Sequence, residues 1–148
     1  DKVGGRMTIK VSLIGLMFAT FLVVLAPDFR FFMEYFFGFD FIHDSLNSKN
    51  TFWLAAILIG VFSGPNQASS RSLMGRFTPE SKKNEFFGFY AFSGKATAFI
   101  GPLLLGILTA MFESQRIGIS IIFFFFLIGF LLIHKVDEEK GMIQGGYN

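Results

Sequence analysis

Four stretches of this chain are long enough and apolar enough to leave water altogether. They are residues 9–26, 51–73, 86–111 and 117–133, the last containing IIFFFFLIGFLLI. A helix crosses a bilayer with about 20 mostly apolar residues. Inside lipid, backbone amides and carbonyls must be satisfied within the protein, and a helix does this segment by segment. The runs therefore predict an all-α membrane protein with four transmembrane helices. Composition agrees: of 148 residues 52% are hydrophobic, 23 are Phe and only 16% are charged, against about a quarter charged in soluble domains.

The same composition removes several function classes. There are no cysteines, so disulfides, zinc–thiolate sites and redox pairs are excluded. A net charge of +2 is too small to suggest nucleic acid as a partner. The chain opens on Asp1 rather than Met, and no secretory signal precedes the first span, so it reads as a piece of a longer protein.

Lys and Arg placement predicts the orientation. Lys2, Arg6 and Lys10 flank the first span, while Arg71, Arg76, Lys82 and Lys83 cluster between the second and third. Lys135 and Lys140 follow the fourth, and the opposite side carries only Arg30, Lys49 and Arg116. The positive-inside rule then makes 1–8, the 74–85 loop and the 134–148 tail cytoplasmic, in the cell membrane. Residues 27–50, rich in aromatics, and the short 112–116 loop fall outside. The aromatic segment suits the interface as a short helix or ordered loop. The tail, with Asp137, Glu138 and Glu139, reads as solvated and loose.

The spans are of two kinds. The first and fourth are bulky nearly all round and tolerate lipid as outer supports. The second carries Gly60, Gly64, Ala68 and Ser72 at every fourth position, beside Asn66, Gln67 and Ser70. Such small stripes let helix backbones approach closely. On the third span Gly94, Gly101, Tyr90 and Ser93 share a small, polar arc, and Phe89, Phe92, Phe99 and Leu103 form a bulky one. Lys95 stands at the edge of the small arc. An intramembrane charge is costly and usually marks a pathway or a partner charge.

Each signal has a plain structural alternative. Asn66, Gln67, Ser70, Tyr90, Ser93 and Lys95 are candidates for a substrate path; inter-helix hydrogen bonding, or a lysine snorkelling to the interface, would account for them otherwise. Gly60, Gly64, Ala68, Gly94 and Gly101 are candidates for helix packing. Asp1, Arg6 and Arg71 are candidates for a gate on the cytoplasmic side, with Arg76 read as an orientation anchor and Glu85 as the favoured acid at a helix start. Ser93 and Lys95 are two apart and point to different helix faces, so no Ser–Lys nucleophile forms. His43 and His134 fall on opposite sides and cannot share a metal. No catalytic residue, metal site or cofactor is expected.

Residues 64–106, GPNQASSRSLMGRFTPESKKNEFFGFYAFSGKATAFIGPLLLG, resemble the signature region of the vacuole-effluxer-like branch of the major facilitator superfamily. Gln67, Ala68, Ser70, Arg71 and Ser72 match its Q-A-x-S-R-S helix end. Glu85 to Tyr90, Ser93 to Lys95, Gly101 and Pro102 match its E-F-F-G-F-Y-x-x-S-G-K and G-P. The opening DKVGGR is similar to the tail of the superfamily's D-R-x-G-R/K loop, with Lys2 in place of Arg. The resemblance implies that these are spans nine to twelve, the last third of a twelve-helix fold, whose tenth span lines the central cavity. It further implies secondary active efflux of a small solute, with amino acids as the usual suggestion, by alternating access. The partners implied are the lipid bilayer, the missing N-terminal spans and the small-molecule substrate. The alternative is a stand-alone four-span membrane subunit that associates with other membrane proteins.

Overall fold

The computed structural model describes residues 4–25 and 48–146, all of them in helices or short links. We number the helices α1 (Gly5–Leu25), α2 (Ser48–Phe77), α3 (Lys83–Phe112), α4 (Gln115–Lys135) and α5 (Glu138–Gln144). A single 3₁₀ turn, Glu80–Lys82, joins α2 to α3. The aromatic segment and Asp1 lie outside the described residues.

Three helical stretches are long and apolar enough to cross a membrane: Gly5–Leu25, Glu80–Phe112 and Gln115–Lys135. Helix α2 has the length, at 30 residues, but its second half, SGPNQASSRS, dilutes its hydropathy. Several helices also outrun the expected spans. Helix α1 starts at Gly5 rather than at 9, α2 runs to Phe77 rather than 73, and α3 starts at Lys83 rather than 86. Hydropathy marks what lipid covers, whereas a helix continues into the headgroup layer until a breaker stops it; here that breaker is Pro79.

Helix α1 sits between α2 and α4, and α3 packs almost wholly on α4. The buried stripe of α1 is Ile9, Ser12, Leu13, Leu16, Ala19, Thr20 and Leu22. Ile9 and Leu13 meet Leu73 of α2, with Phe77 and with Phe126, Phe130 and Ile133 of α4 packed around them. Gly15 is required in this crossing, because a Cβ there would collide with the Phe62 ring of α2. Lipid removes most of the hydrophobic drive between membrane helices, so close van der Waals approach through small residues holds them instead. Helix α1, read from sequence as bulky all round, is in fact the helix most enclosed by the rest of the chain. Ser12, Gly15 and Ala19 provide the small strip that makes this possible. The Thr20 hydroxyl, buried, donates to the Leu16 carbonyl at 2.8 Å.

Helices α3 and α4 form a tight hairpin. Glu113 caps α3 in the left-handed conformation (φ 51°) and Ser114, extended, starts α4. Four residues on, Gly118 lies against the next-to-last turn of α3; a Cβ there would strike the Thr109 hydroxyl and stand 2.9 Å from the Leu105 carbonyl oxygen.

The tail corrects an expectation. Residues 134–148 were expected to be solvated and loose, yet Glu138–Gln144 is helical and docked on the end of α2. Two glycines at i,i+4 make the seat. A Cβ on Gly141 would run into the Phe77 ring, and one on Gly145 into the Arg76 carbonyl.

Candidate functional site

The densest polar arrangement lies where the chain's described ends meet. Glu138, the first residue of α5, points its carboxylate at the start of α1. Its Oε1 accepts from the Gly5 amide at 3.1 Å and its Oε2 from the Arg6 amide at 3.1 Å. A helix start carries unpaired amides and partial positive charge, so a carboxylate is the fitting cap. The same carboxylate pairs with the Arg76 guanidinium of α2 at 3.3 Å. Arg76 Nη1 also lies 3.9 Å from the Met142 sulfur.

Arg6 serves the opposite end. Its Nε donates to the Ile133 carbonyl at 3.2 Å and its Nη2 to the His134 carbonyl at 2.6 Å. These are carbonyls of the last turn of α4, where a cation complements the helix dipole; the Ile133 carbonyl also accepts the Val136 amide at 3.3 Å. One acid and two arginines thus clasp the ends of α1, α2 and α4. Farther out, Asp137 accepts from the Lys140 amide at 3.2 Å and pairs with its ammonium at 3.3 Å. The Lys140 amide, then its side chain, hold the Asp137 carboxyl below its ordinary 3.8.

Of the gate candidates, Arg6 is in the clasp. Arg71 is exposed, with no ion pair among the described residues. Arg76, read from sequence as an anchor, holds the pair instead. Glu138, read from sequence as one acid of a solvated tail, is instead part of the clasp; its partners lie more than 60 residues away in sequence.

The path candidates fall on two open helix faces. On α2, the Oδ1 atom of Asn66 is buried yet has no hydrogen-bond partner among the described residues, while Gln67 is exposed. Pro65 sits beside them within the helix and takes away the amide that would serve the Val61 carbonyl, so polarity concentrates here. On α3, Lys95 is exposed and has no ion pair among the described residues. It stands twelve residues beyond Lys83, about 18 Å along the axis at 1.5 Å per residue. Ser93 donates to the Tyr90 carbonyl and Thr97 to the Ser93 carbonyl, both at 2.9 Å, so these hydroxyls are already satisfied within the helix.

The structure does not bring the two faces together. Helices α2 and α3 barely touch, meeting where the Phe87 ring lies 4.0 Å from the Cβ position of Gly75. Among the described residues, Gly60, Gly64, Gly94 and Gly101 have nothing within 4 Å of their Cβ positions. No cluster of three His, Asp or Glu side chains suited to a metal occurs among the described residues.

Long apolar helices in series, with polar side chains confined to two helix faces and one end, define a multi-pass membrane protein. The Vacuole effluxer Atg22 like family matches residues 9–146, and the chain belongs to it. An MFS-type transporter of Bacillus subtilis (strain 168), YxiO, is 34% identical over 88 residues, 60% of this chain and 21% of the relative. Autophagy-related protein 22 of Kluyveromyces lactis is 30% identical over 104 residues, 70% of this chain and 21% of the relative. Autophagy-related protein 22-2 of Aspergillus niger is 33% identical over 90 residues, 61% of this chain and 15% of the relative. The chain thus spans about a fifth or less of the length of these relatives. No solved structure matches it.

Proposed function

We propose that this chain is the last third of a secondary active transporter of the major facilitator type, exporting a small solute such as an amino acid by alternating access. Four spans, α1 to α4, cross the cell membrane with both ends of the chain cytoplasmic. Helix α2 lines the solute path even though its polar half lowers its hydropathy, since a helix beside an aqueous cavity is free to carry carboxamides. The missing N-terminal spans complete the bundle.

One observation carries the reading. Asn66 holds a buried Oδ1 with no hydrogen-bond partner, and Lys95 is exposed with no ion pair, both among the described residues and both on membrane-length helices. Lipid cannot satisfy either group, so each calls for a further helix, a water-filled path or a solute. The small residues beside them, Gly64 on α2 and Gly94 on α3, leave space for such a neighbour.

The test is a paired substitution in the full-length protein. Gln67→Ala lowers solute flux more than it lowers membrane protein level, because a cavity carboxamide contacts solute. Gly64→Leu lowers protein level, because a bulky side chain blocks a neighbouring helix. Equal loss of protein level in both variants would refute the path role of Gln67. For orientation, Ser81→Cys stays protected from an impermeant thiol reagent on intact cells, while Gln115→Cys is labelled.

A further inference from the structure

Beside the clasp, α1 and α4 part to leave an open groove of about 500 Å³. Its floor includes Val11, Ile14 and Phe130; its rim carries Arg6, Lys10 and His134. The spacing is that of single helix faces: 6, 10 and 14 on α1, and 130 and 134 on α4. The groove therefore runs along the helix axes, polar at the clasp and apolar toward the bundle's middle. Val11, Ile14 and Phe18, at 50%, 54% and 55% exposure, continue the apolar floor onto the outer face of α1.

The rim is positively charged in balance. Glu138 also borders the groove, but its carboxylate is taken up by Arg76 and two amides. Arg6 bonds only carbonyls at the end of α4, so no carboxylate among the described residues neutralises it. Lys10, half-buried, has no ion pair among the described residues. Two cations without a carboxylate partner among the described residues thus border an apolar trough, and Lys10 lies about 7.5 Å inside the start of α1 at 1.5 Å per residue.

We propose that this groove binds an anionic glycerophospholipid from the adjoining leaflet, its phosphate between Lys10 and Arg6 and an acyl chain along Val11, Ile14 and Phe130. Charge complementarity selects the head, and the apolar floor selects a molecule with a tail. Basic pockets between membrane helices take anionic headgroups for the same reason. A zwitterionic lipid gains the trough but little from the rim; a soluble phosphate gains the rim but nothing from the trough.

Native mass spectrometry of the full-length protein tests this with phosphatidylglycerol and phosphatidylcholine of matched chains. Phosphatidylglycerol should bind about fivefold more tightly, and Lys10→Gln should remove about that factor, the contribution of one cation near a charged surface. Ile14→Trp, which fills the trough, should weaken both lipids. Lys10→Arg and Lys135→Gln should bind as the parent does, the first keeping the charge and the second lying off the groove. Glycerol phosphate at equal concentration should not displace the lipid. Equal binding of the two lipids, or an unchanged Lys10→Gln, would overturn the proposal. Displacement by glycerol phosphate would also overturn it and point to a headgroup site without a tail. Because binding is read without flux, failure here is distinguishable from failure of the transport reading.

Discussion

Arg76 and Glu138 face each other at 3.3 Å, and the Glu138 oxygen in that pair also accepts from the Gly5 amide. Their side chains are 25% and 16% exposed, too sheltered for water to take over either partner fully. Glu138→Ala strands two helix-start amides and a guanidinium together. A hydrogen bond left unmade costs about 1–3 kcal/mol, and that range is expected for the loss of stability. Glu138→Gln keeps one acceptor and should lose less. Thermal melting of the purified protein checks both. A double-mutant cycle with Arg76→Ala should give a coupling of about 0.5–3 kcal/mol; additive losses would mean that the pair contributes nothing.

Asp137 makes the capping of α5 sensitive to acid. Its folded-state carboxyl is held below 3.8, first by the Lys140 amide and then by the Lys140 side chain. A depressed acid stabilises the fold fully above its unfolded value. That contribution disappears as pH falls below 3.8 toward the folded value. Amide exchange across 138–144 should therefore be slow at pH 5 and quicken, relative to the rest of the protein, at pH 3. Asp137→Asn keeps a good helix cap without the titration. Its protection should change less between those two pH values, and an identical response would remove Asp137 as the cause.

The α3–α4 hairpin depends on Gly118. Any side chain there meets Thr109 and the Leu105 carbonyl. Overpacking of this sort costs about 1–3 kcal/mol, so Gly118→Ala should lower the melting temperature and Gly118→Leu should abolish folded yield. Gly106, on the same hairpin, has nothing within 4 Å of its Cβ position among the described residues. Gly106→Ala should be neutral or slightly stabilising, because alanine is the better helix former by about 1 kcal/mol. Equal damage from Gly106→Ala and Gly118→Ala would contradict the close approach.

These glycines also mark where sequence reasoning succeeds and where it stops. Hydropathy located α1, α3 and α4 because lipid-length apolar runs admit little but helix. It marked a helix at α2 as well, though α2 is not apolar enough over its length to count as a span by that measure, and it placed Asn66, Gln67 and Lys95 on helices. What it missed was pairing at a distance. Gly60 and Gly64 form the more regular stripe, yet among the described residues they stand open, while the less conspicuous Gly15 and Gly118 make the crossings. Periodicity reveals that a helix has a small face; it does not reveal which neighbour fills it. The clasp was hidden for the same reason. Glu138 looks like one of three acids in a polar tail until folding brings the starts of α1 and α5 together.

Lys95 poses the sharpest test of function. It lies near the middle of a 30-residue helix, about 18 Å from its first residue at 1.5 Å per residue along the axis. A lysine stem can carry its charge part of the way to the interface, and then any long apolar side chain with a polar end would serve. Against that stands its setting, between the small residues Ala91, Gly94 and Ala98 and without an ion pair among the described residues. On the transporter reading proposed above, a carboxylate on a further span, or an anionic group of the solute, would be the complementary partner. If so, Lys95→Met should fold, since it removes a charge from lipid-depth protein and leaves a side chain of similar length, but it should not transport. Lys95→Arg should keep the charge and still lose most activity, because a planar guanidinium does not replace a compact ammonium at a close pair. Flux measured in both variants, normalised to membrane protein, decides between the roles. Near-normal flux in Lys95→Met would reduce the lysine to an interfacial anchor.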